Sequence, residues 1–290
     1  MAERTITNMK RVKSNFTDAI LYVVSTPIGN LKELSPRAIE IFKEVDLICS
    51  EDTRTTSSLL NNFNISKPFI SYHMHNEQEA SEKIIALLKE NKKIALTSDA
   101  GYPGISDPGS ILIRHCIEND IAVSVINGSN AFIPALVGSG LDTTHFYFHG
   151  FLSSKESEKK KELMELASKK ETMIFYESPH RIEETINDLF LILGDRKVSI
   201  ARELTKIHEE YVRGSLSEFK DFDFSSLKGE MVVVVEGNKE IKLLTDEDIK
   251  ALLKEEINEG KSIKDAVKSI SENYSLKKNR VYSIATSLKD

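Results

Sequence analysis

Thr97-Ser98-Asp99-Ala100-Gly101-Tyr102-Pro103-Gly104-Ile105-Ser106-Asp107-Pro108-Gly109 follows the apolar run Ile94-Ala95-Leu96 and precedes a helical pattern, Ile111 to Glu118. The order this predicts is strand, elaborate turn, helix. Three glycines and two prolines in a stretch that also holds two carboxylates exceed what a simple connection requires, so the backbone is expected to be shaped for close approach to a ligand. A rigid surface loop is the plainer alternative. The functional reading is preferred because the loop leaves the carboxyl end of a strand, where open α/β sheets form ligand crevices.

The flanking sequence repeats the same unit. Ile20 to Val24 predicts a strand followed by the turn Ser25-Thr26-Pro27-Ile28-Gly29-Asn30, and Ser35-Pro36 supplies an N-cap with proline at the first helical position. Val45 to Cys49 and Pro68 to Tyr72 predict further strands, ending in Ser50-Glu51-Asp52-Thr53-Arg54 and His73-Met74-His75-Asn76-Glu77, with Asn76 and Glu77 expected to cap the helix that runs to Glu90. Ile121 to Ile126 leads into Asn127-Gly128-Ser129-Asn130 and an apolar helix, Ala131 to Val137. Strands alternating with helices predict a parallel, helix-covered sheet with all five turns on one edge.

Around Gly138 to Thr144 the punctuation predicts a linker. Beyond it, strands at Phe146 to Phe148, Thr172 to Tyr176, Lys197 to Ala201, His208 to Val212 and Met231 to Val235 become closely spaced, which predicts a mixed or partly antiparallel second sheet. The last fifty residues predict three short amphipathic helices resembling a helix-turn-helix, either a nucleic-acid contact or a capping or dimerisation piece. The expected fold is therefore α/β: a flexible arm over 1–18, an N-terminal domain over 19–140, a second domain over 141–240 and a helical module over 241–290.

The 290 residues are 40% hydrophobic and 29% charged, with a formal net charge of −6. This describes an ordinary globular chain with no global attraction to nucleic acid, although local basic clusters such as Lys155 with Lys159-Lys160-Lys161 remain candidates. No apolar run approaches the ~20 residues of a spanning helix, and the first 18 residues lack the apolar core of a secretory signal, so no membrane and a cytoplasmic location are expected. Cys49 and Cys116 lie in apolar segments and are read as buried thiols. Zinc-ligand spacing, a P-loop and a nucleophile elbow are all missing, which removes support for those chemistries. His73 and His75 could ligate a metal or shuttle protons, with an idle surface pair the plainer reading. Glu177-Ser178-Pro179-His180-Arg181 and Ala201-Arg202-Glu203-Leu204-Thr205-Lys206 put further charges at strand ends of the second sheet.

Taken in order, Thr26 to Leu31, Glu51 to Arg54, His75 to Glu77, Ser98 to Gly109, Phe175 to Arg181, Ala201 to Lys206 and Gly229-Glu230-Met231 with Glu236-Gly237 resemble the tetrapyrrole methylase superfamily. The closer resemblance is to its ribosomal branch, whose members methylate a cytidine ribose 2′-hydroxyl in the decoding region of 16S rRNA. The resemblance implies a homodimer of two α/β domains holding S-adenosyl-L-methionine between them, with 16S rRNA or the 30S subunit as partner. Pro27 and Ile28 stand where other members have a glycine-rich turn. Gly101, Tyr102 and Ile105 are implied at the methionine side of the cofactor, supported by Asp99. Gly128, Ser129 and Ala131 are implied as backbone contacts, and Phe175, Ala201 and Glu230 lie near the adenosine half. The family usually has Thr at the position of Tyr102 and Pro-Gly-Pro around Gly128.

A sulfonium methyl is strongly electrophilic, so alignment of the attacking oxygen is the main requirement, with a carboxylate accepting the 2′-OH proton. Glu51 or Asp52 is the first choice for that carboxylate and Glu203 the second. Arg54, Arg181, Arg202 and Lys206 are the expected rRNA contacts, and no metal is expected to take part. The alternatives are methylation of a tetrapyrrole, a non-catalytic rRNA-binding assembly factor, or a DNA-binding regulator, the last leaving most of the chain unexplained.

Overall fold

The computed structural model describes residues 21–239, 245–258, 260–274 and 276–288; the arm expected over 1–18 lies outside them. Five strands, β1 (Leu21–Val24), β2 (Leu47–Ser50), β3 (Phe69–Ser71), β4 (Ile94–Thr97) and β5 (Val123–Ile126), form a sheet in the order β3-β2-β4-β1-β5. Every pairing is parallel. The helices α1 (Pro36–Glu44), α2 (Thr53–Asn61), α3 (Glu77–Lys89) and α4 (Ser110–Glu118) make the crossovers. Ser35 caps α1 as expected, its hydroxyl accepting from the Ala38 amide with Pro36 at the first position. Apolar side chains cover both faces of this sheet, with Tyr22, Phe42 and Ile48 in one cluster and Leu21, Tyr72 and Leu96 in the other. Burial on both sides explains why these strands are short continuous apolar runs rather than alternating ones.

After β5 comes α5 (Phe132–Ser139), which ends at Gly140 in the left-handed region (φ 75°). The second sheet contains β6 (Phe146–Phe151), β7 (Thr172–Glu177), β8 (Lys197–Arg202), β9 (Glu210–Ser215) and β10 (Met231–Val235), in the order β6-β7-β10-β8-β9. Only β6 and β7 run parallel; β7, β10, β8 and β9 are successively antiparallel, so the sheet is mixed. Helices α6 (Glu156–Leu166) and α7 (Ile182–Leu193) cover one face around Phe175, Leu189 and Val233. The other face receives α5: Ala135 and Leu136 pack on Ile174, Ala201 and Val232. A helix that follows the first sheet in sequence thus lies against the second, and both sheets belong to one compact unit reaching Asn238.

The unit over 239–290 contains α8 (Asp246–Asn258), α9 (Ile263–Asn273) and α10 (Lys278–Thr286) around a small core of Ile249, Leu253, Val267, Ile270, Val281 and Ile284. No helix among the described residues is long and apolar enough to cross a membrane.

Most of the basic cluster at the start of α6 is paired within the fold. Lys159 is 2% exposed and its ammonium lies 2.6 Å from Asp188 on α7, while Lys155 pairs with Glu158 and Lys160 with Glu156. Three of the cations that made this run a candidate nucleic-acid patch are therefore partnered within the fold.

Candidate active site

The five turns that leave the carboxyl ends of β1 to β5 share one edge, as the parallel sheet requires. Two are joined as one piece of backbone: Thr26 and Gly101 exchange N–H···O=C bonds of 3.0 Å each way, and Gly101 takes φ +78° to do so. The Thr26 hydroxyl also donates to the Ser98 carbonyl. Tyr102 supplies the link to the fifth turn, its hydroxyl donating to Asn127 Oδ1 and accepting from the Gly128 amide at 2.9 Å. The far end of the 97–109 loop is held by Glu77, whose Oε1 accepts from the Gly109 amide at 2.9 Å and from the Tyr72 hydroxyl at 3.2 Å. Asn76 occupies the capping position of α3 without capping it; its side chain accepts from the His73 amide and donates to the Ser71 carbonyl, shaping the turn instead.

Facing this edge, across a cavity of about 660 Å³, are the ends of β7, β8 and β10. The size suits a small-molecule ligand. Ile28, Tyr102, Ile105, Ala131 and Phe132 line the first side, and Phe151, Tyr176, Leu204 and Met231 the second. The two sides approach closely: a methyl on Gly29 would fall 2.5 Å from Lys206 Cγ, and one on Gly150 would fall 3.1 Å from Ser106 Oγ. Gly150 adopts φ +82° just after a register shift in β6, which brings the strand against the loop.

Six carboxylates, Glu51, Asp99, Asp107, Glu177, Glu203 and Glu230, line the cavity against one ammonium, Lys206. Glu203 is paired: its Oε1 accepts from Lys206 Nζ at 2.9 Å. Glu177 is buried, accepting from the Ser178 amide and the Thr185 hydroxyl with Arg181 Nε 3.6 Å away. Asp99 accepts from the Asp52 amide. Glu51 is left with its carboxyl pushed up by partial burial and by the neighbouring charge of Asp99, with His73 opposing. Asp107 is pushed furthest, to about 6, by burial and then by Glu51 and Asp99. Tyr176 opposite is raised to about 12 by burial and by Asp107.

Of the residues singled out from the sequence, Glu51, Glu203, Ile28, Asp99, Gly101, Tyr102, Ile105, Ala131, Glu230 and Lys206 come together around this cavity. Others do not. Asp52 caps α2 and forms a two-pronged pair with Arg54, whose guanidinium holds its carboxyl down at about 2. Arg181 donates to the carbonyls of Leu152 and Ser153, and Arg202 to Glu210. Pro27, Gly128 and Ser129 are not among the lining residues, and the Ser129 hydroxyl donates to Glu33. Phe175 and Ala201 are both fully buried, Phe175 in the core under α7 and Ala201 beneath α5. The cleft-facing aromatic of β7 is Tyr176, one residue on. Phe132, Phe151 and Tyr176 are lining residues that the sequence alone did not single out, and Asp107, the second carboxylate of the 97–109 stretch, lines the cavity as well.

An acidic lining combined with apolar and aromatic walls fits a ligand that is cationic at one end and flat and apolar at the other. That is the chemistry of S-adenosyl-L-methionine, whose sulfonium and ammonium are positive and whose adenine is aromatic.

A sequence model of the Tetrapyrrole (Corrin/Porphyrin) Methylases matches residues 20–220. The chain belongs to this family, in its ribosomal branch. It is 42% identical over 277 residues to "Ribosomal RNA small subunit methyltransferase I" of Streptococcus pyogenes, covering 94% of this chain and 96% of the relative. The protein of the same name from Halalkalibacterium halodurans is 49% identical over 221 residues, 76% of each chain. Among solved structures, the methyltransferase CobJ shares the fold with a TM-score of 0.57 at 17% identity, over 76% of this chain and 94% of that one. The methyl donor of the family is S-adenosyl-L-methionine.

Proposed function

We propose that the protein transfers a methyl group from S-adenosyl-L-methionine to the ribose 2′-hydroxyl of a cytidine in the decoding region of 16S rRNA, acting as a homodimer in the cytoplasm. The observation that carries this reading is the similarity to small-subunit rRNA methyltransferases, at 41–49% identity over 76–94% of the chain. The acidic cleft supports it: the donor is a cation, and the lining is dominated by carboxylates.

When bound, S-adenosyl-L-methionine supplies a methyl group on a positively charged sulfur. The protein's part is chiefly positional. Gly101 offers its backbone without a side chain in the way, Ile28 and Ile105 exclude water, and Tyr102 fixes the loop that carries them. Holding the two reacting atoms in line supplies roughly 7–11 kcal/mol of the barrier. A carboxylate that accepts the hydroxyl proton adds roughly 10²–10⁴-fold. Among the three carboxylates expected for that role, Asp52 is engaged by Arg54 and Glu203 by Lys206, which leaves Glu51. Arg54, with a side chain 90% exposed, is the expected phosphate contact among the four basic residues.

Labelled S-adenosyl-L-methionine incubated with 30S subunits lacking the modification, free 16S rRNA and a porphyrinogen tests the assignment. Label enters rRNA in either form on this reading; label on the porphyrinogen alone transfers the assignment to tetrapyrrole chemistry, and donor binding without transfer supports an assembly factor.

A further inference from the structure

Helix α4 carries more apolar surface than its place against the first sheet uses. Leu112 and Cys116 are fully buried in the core, whereas Ile113 is only partly covered and Ile117, one turn further on, is 59% exposed. These two isoleucines share one stripe of the helix and line a groove of about 530 Å³ with Pro103 and Ile105 of the 97–109 loop. The loop is pressed onto the helix there. Gly104 takes φ +83°, its amide donates to the Pro108 carbonyl at 3.1 Å, and a methyl on it would fall 3.4 Å from the Ser110 nitrogen and 3.8 Å from Ile113 Cδ1. Two exposed charges, Arg114 and Glu118, also line the groove, and neither has an ion-pair partner among the described residues. Arg54, Arg202 and Lys206, by contrast, are each paired with a carboxylate. Ile105 forms a wall of both the groove and the candidate active cavity, so the groove opens directly beside the site of methyl transfer. An apolar strip left uncovered next to a ligand cavity marks a further binding surface.

We propose that this groove is a substrate subsite: it holds the base of the unpaired rRNA nucleotide next to the one whose ribose enters the cavity, with Arg114 on the phosphate between them. The proposal rests on the rRNA methyl-transfer reading above. A ribose meets the donor inside the cavity only if its nucleotide leaves the stack, and that strips the neighbouring base of a stacking partner. The Ile105, Ile113 and Ile117 side chains offer the neighbour an apolar surface in its place, the kind of contact by which splayed single-stranded bases are held. Glu118 supplies an acceptor for the N–H groups of the base edge. Arg114 supplies the positive charge that a phosphate needs and that the carboxylate-lined cavity lacks.

A benzophenone photo-crosslinker placed at position 117 of the full chain, irradiated on 30S subunits lacking the modification, reads the occupant without turnover. Crosslinks should map to rRNA immediately beside the nucleotide that the protein methylates. Ile117→Ser alters an exposed side chain, so thermal unfolding should be unchanged. Its KM for 30S subunits should rise roughly tenfold, with kcat and donor affinity held. Arg114→Gln should lower the slope of log rRNA affinity against log salt by about one, which Ile117→Ser should not do. Crosslinks that are absent, confined to distant rRNA or formed with a second copy of the chain overturn the subsite, as does a halved solution mass for Ile117→Ser or an unchanged KM in both variants. A wild-type protein inactive on every rRNA substrate overturns the functional reading and the proposal together, and is distinguishable from an active wild type whose two variants are equally active, which removes the subsite alone.

Discussion

The Gly128 amide donates to the Tyr102 hydroxyl at 2.9 Å, tying the loop after β4 to the turn after β5 through a side chain that also faces the cleft. Tyr102 is thus a strap as well as a wall. Tyr102→Phe keeps the ring and removes the strap, leaving the Gly128 N–H and Asn127 without this partner. A loss of about 1–2 kcal/mol is expected for a partly buried amide so exposed. Isothermal titration should show donor affinity weakened by roughly tenfold, with the fold retained. Unchanged affinity would mean that the strap does not shape the donor site.

Asp107 also predicts a stability effect whose sign is specific. Its folded-state pKa, about 6, lies above its ordinary value of 3.8, so its contribution to stability is fully present below about 3.8 and lost as pH rises through 6. Asp107→Asn removes a charge the fold disfavours and should be more stable than wild type above pH 6, by on the order of 1 kcal/mol once solvent screening is allowed for. Near pH 4 the two should unfold alike. Urea midpoints at the two pH values check this, and destabilisation of the variant at pH 7.5 would contradict it.

How far the sequence reached can be judged at single residues. Ser35-Pro36 and the Gly-Pro-rich 97–109 stretch report local backbone rules, and both took their expected places. Phe175 and Tyr176 report the limit: β7 is covered on both faces, so its sequence carries no polar alternation to say which side looks into the cleft. The turn His73 to Glu77 shows a second limit. Its polar residues announced a helix start, but whether Asn76 bonds forward to the helix or back to Ser71 depends on where the strand ends in space. Asp107 is the third, since the charges that bear on its carboxyl, Glu51, Asp99 and Glu230, come from three separate turns.

Lys159 separates structural from functional basic residues. Its ammonium is buried between α6 and α7 against Asp188, with Glu184 at the surface side. Lys159→Met leaves a largely buried carboxylate unpaired and should cost about 3–5 kcal/mol. Lys159→Met with Asp188→Leu should recover most of that, because well-packed apolar groups replace an ion pair at little net loss. Equal destabilisation in the single and double variants would show that packing rather than charge sets the cost.

Arg54 is the most exposed of the four basic residues expected to contact rRNA, and its Asp52 partner is shared with the start of α2. Arg54→Ala should weaken 16S rRNA binding and lower the slope of log affinity against log salt by about one. Donor binding should be unaffected. A salt slope identical to wild type would remove Arg54 from the phosphate contacts.

The central claim is the chemical identity of the product. Mass spectrometry of nucleosides released from 16S rRNA, after 30S subunits lacking the modification are treated with this protein and S-adenosyl-L-methionine, reads it directly. The account predicts new 2′-O-methylcytidine, with the methyl on the sugar fragment. Methyl appearing on a base fragment, or no gain of methylated nucleoside while a porphyrinogen is methylated, would contradict it.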